Sequence, residues 1–142
     1  MEPLNLRLAP PRKPTDVLAG VVFLARTVDK VRATLPGGDP GDYKMAGLST
    51  DLLTRLDIDL DDLCSIVALA RSEDDVVHWI LKHTTAEARD RVNAELAALT
   101  IRDRVERPGF FERNAIAKDL PLETPVFKML EYEDVAMFAD KR

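Results

Sequence analysis

Residues Val17 to Leu35, VLAGVVFLARTVDKVRATL, constrain the fold of this chain more than any other stretch. On a helical wheel Val17, Val21, Leu24, Val28, Val31 and Leu35 fall in one narrow stripe, the spacing of a helix edge that faces a core. Leu18, Ala19, Val22, Phe23 and Ala25 make the first half apolar on its other sides as well, so a helix here has to be enclosed. From Arg26 onward the far side turns ionic, with Arg26 and Lys30 one turn apart, Asp29 beside them and Arg32 at the edge of the stripe. The expected fold class is all-α: a single compact domain of about six or seven helices packed around a buried central helix at residues 17–35.

The flanking segments are read from their punctuation. Residues 1–14 carry prolines at positions 3, 10, 11 and 14, which fix their own backbone and restrict the preceding residue, so an extended segment is expected ahead of a helical domain at 15–142. Thr15 or Asp16 is a suitable cap for the long helix, Gly20 is a cost within it, and Pro36-Gly37-Gly38 ends it. Residues 36–47 then form the longest loop, with Tyr43 in its middle; loops of about a dozen residues are often functional. Further helices are expected at about Thr50–Leu56, from Asp59 as cap, from Ser72, over Thr85–Val105, over Phe110–Leu120, and after Thr124-Pro125.

Composition narrows the class. A length of 142 residues suits one domain that buries roughly 68% of its unfolded surface. The lone Cys64 cannot pair within the chain, and the N-terminus lacks the order of a secretory signal, so a cytoplasmic protein is expected. The longest apolar run, Val17 to Ala25, is half of what a membrane span needs. A net charge of −5 argues against nucleic acid as partner. The charge is uneven: residues 1–32 hold six bases against three acids, whereas residues 39–75 hold ten acids against three bases. Internal or intersubunit complementarity is the simplest use of that asymmetry.

The candidate ligand-binding residues are Arg26, Asp29, Lys30 and Arg32, with Tyr43 on the overlying loop. Arg26 and Lys30 could hold a phosphate or carboxylate while Asp29 fixes Arg26; equally, the cluster could pair with acids elsewhere as an ionic lock. His78, one turn after Asp74, and Trp79, one turn before His83, have no nucleophile motif to serve, and no catalytic set is assigned. Asp57, Asp59 and Asp61 imitate the first ligands of a calcium loop, but Asp62 stands where glycine is required and Ala68 where glutamate is. No zinc spacing is present either, so no metal or cofactor is expected. A helix-turn-helix over residues 50–70 would open its recognition helix with Asp59, Asp61 and Asp62, which DNA would repel.

Several stretches carry a resemblance: Leu24-Ala25-Arg26 leading into Val28-Asp29-Lys30-Val31-Arg32-Ala33, then Gly41-Asp42-Tyr43, Leu56-Asp57-Ile58-Asp59, Val77-His78-Trp79-Ile80, Phe110-Phe111 and the closing Phe127 to Val135. Together they resemble the bacterial domain-of-unknown-function family DUF5069. Ala25 and Leu60 stand where many relatives place proline, which implies a helix running unbroken through Ala25 here. The resemblance brings no activity, substrate or cofactor; it marks residues 26–33 and Tyr43 as a signature. The leading expectation is a non-enzymatic protein that acts through contacts with a protein partner or a second copy of itself. The alternative is a binding module for a small anion held by Arg26, Lys30 and Arg32.

Overall fold

The computed structural model describes residues 1–139. Among them the chain is mostly helical, with seven α-helices and one very small antiparallel sheet. It divides into two compact units, Met1–Asn93 and Ala94–Arg142.

In the first unit, β1 (Val17–Leu18) pairs with β2 (Val21–Val22), followed by α1 (Leu24–Ala33), α2 (Leu48–Arg55), α3 (Leu60–Leu69), α4 (Glu73–His83) and the start of α5 (Ala86–Ala98). The expected single helix over 17–35 is therefore corrected: residues 17–23 are a hairpin and its exit, and the helix occupies Leu24–Ala33 alone. The physical reason lies at Ala19-Gly20. Both residues have positive φ, 52° and 74°, the two-residue turn that matches the twist of paired strands and that no right-handed helix contains. Asn93 closes the hairpin, with its Oδ1 accepting from the Val22 N–H at 2.9 Å and its Nδ2 donating to the Gly20 carbonyl at 2.8 Å.

Phe23 then adopts φ 68° as the N-cap of α1, so the helix starts afresh at Leu24 instead of arriving unbroken from Val17. A first-turn position tolerates proline, because its N–H has no intrahelical partner. Asp16, expected as a cap, accepts the Lys13 N–H instead.

Helix α1 packs on β1, α2 and α3, and α3 packs on α4. Leu24, Ala25, Val28 and Val31 of α1 are buried, and Leu52, Leu63 and Ile80 of the neighbouring helices are fully so. Asp59 caps α3 as its spacing predicts, its side chain accepting from the N–H groups of Asp61 and Asp62. The N-terminal segment is tied down by backbone bonds: Leu6 N–H donates to the Asp39 carbonyl at 2.8 Å, Asp39 N–H to the Leu4 carbonyl at 3.0 Å, and Leu4 N–H to the Arg32 carbonyl at 3.3 Å.

The second unit takes over within α5 and continues through a 3-10 turn at Ile101–Asp103, the short α6 (Phe110–Arg113), a 3-10 turn at Ala115–Asp119 and α7 (Val126–Phe138). The helix expected over 85–105 ends early because Thr100 and Asp103 form a reciprocal capping box that opens a new turn. Ile101, Phe110, Phe127 and Met129 are buried, whereas Val135 of α7 is 69% exposed. Pro125 is the N-cap residue of α7. Among the described residues no helix is long and apolar enough to cross a membrane.

Candidate functional site

Helix α1 is too short to carry polar residues on a wholly solvated side. Arg26, Thr27 and Asp29 are buried alongside its apolar residues, with exposures of 2%, 0% and 4%. A buried charge has to be hydrogen-bonded or paired, so the surroundings of Arg26 and Asp29 dictate what this helix can do. The structure divides the five nominated residues into two groups.

Asp29 and Arg32 belong to a lock on the N-terminal segment. Asp29 Oδ2 accepts the backbone N–H of Arg12 at 2.8 Å, and the Arg12 guanidinium reaches the same carboxylate through Nε at 3.2 Å and Nη2 at 3.0 Å. Arg12 Nη2 also donates to Glu73 Oε1 of α4 at 2.5 Å. Burial alone would lower the Arg12 pKa, but the bonds to Glu73 and Asp29 outweigh it and the value is raised, which holds the guanidinium firmly charged. Arg32 lies 3.9 Å from Asp29 and donates through Nε to the Glu2 carbonyl at 2.9 Å. A second strut joins Arg7 to Asp39 at 2.7 Å; the Gly41 N–H, and then Arg7, lower the Asp39 pKa. The basic start and the acidic middle of the chain therefore meet within one molecule at Arg7–Asp39 and Arg12–Glu73.

Arg26, Lys30 and Tyr43 form the other group. Two cations draw on one ring: Arg26 Cζ lies 5.9 Å and Lys30 Nζ 5.8 Å from the centroid of Phe23, within cation–π range. Arg26 is also 5.6 Å from the Tyr43 ring, and its Nη1 donates to the Arg12 carbonyl at 3.2 Å. Lys30 Nζ donates to Ser49 Oγ at 3.1 Å. Phe23 and Ser49 were not anticipated from sequence. Phe23 is the left-handed N-cap residue of α1 and its ring is buried, and Ser49, which reads as a residue ahead of α2, lies inside it and is wholly buried.

Chemically, this second group sets a half-buried ammonium one helical turn from a buried guanidinium, flanked by two aromatic rings. That arrangement suits a phosphate or carboxylate oxygen. The Lys30–Ser49 distance is that of a base and a nucleophile, but a hydroxyl with 0% exposure cannot reach a substrate, so Ser49 positions and does not attack.

The remaining sequence candidates lie elsewhere. His78 and Asp74 are exposed on α4, and no hydrogen bond joins them. Trp79 and His83 stack at 4.3 Å, with His83 Nδ1 2.8 Å from the Trp79 carbonyl. Burial, and then Asp61, push the Cys64 thiol up, away from the thiolate form.

One comparison with known proteins bears on the chain as a whole. A family model described as Domain of unknown function (DUF5069) matches residues 8–120, a span that includes Arg12, α1 and the Tyr43 loop and stops short of Phe127–Val135. No curated protein matches the chain.

Proposed function

The chain belongs to the DUF5069 family, and we propose that it is a binding module for a small anion, a molecule bearing a phosphate or carboxylate group, held at the half-buried Lys30 ammonium, with the buried Arg26 guanidinium adding positive charge behind it. The observation that carries this reading is the convergence of both cations on the Phe23 ring, with Tyr43 also within cation–π range of Arg26. Arg32, part of the sequence-based set, is assigned to the lock with Asp29 because its Nε is engaged by the Glu2 carbonyl. Binding is proposed rather than turnover, since the hydroxyl nearest the cations is inaccessible.

Thermal unfolding in inorganic phosphate, pyrophosphate and citrate tests the proposal, against sodium chloride at matched ionic strength. A ligand at a hundred times its Kd stabilises by about 2.7 kcal/mol, which raises Tm by several degrees in a chain of this size. The rise is expected to vanish in Lys30→Met and Arg26→Ala. Equal shifts in chloride, or undiminished shifts in both variants, would refute the site.

A second reading, self-association, is favoured by a separate observation: Leu69 at the end of α3 is 81% exposed, and Leu81 on α4 is 43% exposed. Isolated exposed leucines are ordinary, so the reading rests on their lying on two helices that pack together. Light scattering is expected to give twice the subunit mass, falling to the subunit mass in Leu69→Lys. A monomeric wild type at high protein concentration removes this reading.

A further inference from the structure

We infer that Ser49 and Thr27 are positioning residues that aim the Lys30 ammonium, through a hydrogen-bond relay with a single direction. The assignment rests on the anion-binding reading for its ligand only; the relay itself stands on geometry. Ser49 and Thr27 are both wholly buried, so their hydroxyls cannot turn to water for partners. An ammonium can only donate, and in the 3.1 Å contact with Lys30 Nζ the Ser49 oxygen must therefore accept. The Ser49 proton then has one other group in reach among the described residues, Thr27 Oγ1 at 3.4 Å. Thr27 in turn has a carbonyl to serve, that of Phe23 at 3.0 Å, which can only accept. One arrangement satisfies all four groups: Lys30 donates to Ser49, Ser49 to Thr27, and Thr27 to Phe23.

The relay closes on itself. It ends at the carbonyl of the residue whose ring lies 5.8 Å from the ammonium where it began. Thr27 and Lys30 share one face of α1 by their spacing, Phe23 stands at its N-cap, and Ser49 joins them from α2. Bonds in such a chain polarise one another, and the charge at its head strengthens each link. A lysine head on a free four-carbon stem loses rotamer freedom when an anion captures it. Here that freedom is already restricted, so an arriving anion meets a charge held in place.

The relay is tested by isosteric removal of one hydroxyl and by its return. In ¹⁵N–¹H spectra of the lysine ammonium groups, recorded without added anion, Lys30 is expected to give a slowly exchanging signal. That signal is expected to be lost in Thr27→Val and in Ser49→Ala and kept in Thr27→Ser, with circular dichroism confirming that each variant is folded. Phosphate affinity is expected to fall about tenfold in Thr27→Val and to stay within about twofold in Thr27→Ser. Absence of the protected signal in wild type, or its survival in both Thr27→Val and Ser49→Ala, overturns the relay. If the signals behave as expected while phosphate fails to bind wild type, the relay holds and the anion-binding reading falls.

Discussion

Asp29→Ala is expected to destabilise the first unit by about 3 kcal/mol and to release the N-terminal strap. Removing one member of a fully buried ion pair typically costs about 3–5 kcal/mol, because the remaining charge is stranded. The Asp29 carboxylate is nearly buried, with a side-chain exposure of 6%, but Arg12 retains 34% and has Glu73 as a second acceptor, which places the effect at the lower end. Besides the charge, Asp29 takes the backbone N–H of Arg12, so the strap loses a main-chain anchor as well. Urea unfolding gives the stability, and limited trypsin digestion gives the strap. Cleavage after Arg7 and Arg12 should accelerate well before the helices are cut. In a double-mutant cycle, Arg12→Ala and Asp29→Ala should fall short of additivity by about 1–2 kcal/mol. A loss under about 0.5 kcal/mol, with the strap still resistant, would show that the lock contributes little and that the strap is held by its other bonds, those to Arg32 and Asp39 among them.

The two halves of the α1 cluster differed in how far they could be read from sequence. Arg26, Asp29, Lys30 and Arg32 announce themselves because helical spacing is a local property, and i, i+3 and i+4 neighbours need no fold to bring them together. Their partners do not. Arg12, Ser49 and Glu73 lie 17, 19 and 61 residues from the side chains they meet, and nothing in a linear pattern measures those separations. The helix starts that rest on one local bond were readable too, as at Asp59. The hairpin was misread for a definite reason: Val17, Val21, Leu24 and Val28 fit a period of 3.6, yet Val17-Leu18 and Val21-Val22 flanking a two-residue turn fit a hairpin equally well. Short apolar runs do not discriminate between the two. Gly20 was the available signal, as a turn residue rather than a flaw in a helix.

Phe23→Ala is expected to cost about 3–5 kcal/mol, the usual loss for a buried aromatic truncated to alanine. Its ring is 1% exposed and faces both Arg26 and Lys30, so anion affinity should fall with stability. The diagnostic comparison is with Phe23→Gly. In a helix or strand interior glycine is worse than alanine, by roughly 0.5–1 kcal/mol, since it has more freedom to lose. At φ 68° the order should reverse, because a Cβ in the left-handed region costs about 1–2 kcal/mol that glycine escapes. Phe23→Gly should therefore unfold at a higher urea concentration than Phe23→Ala although it buries less. If alanine proves the more stable of the two, Phe23 does not hold a left-handed conformation in solution. The break between hairpin and helix would then lose its cause, and with it the geometry that sets one ring beneath two cations.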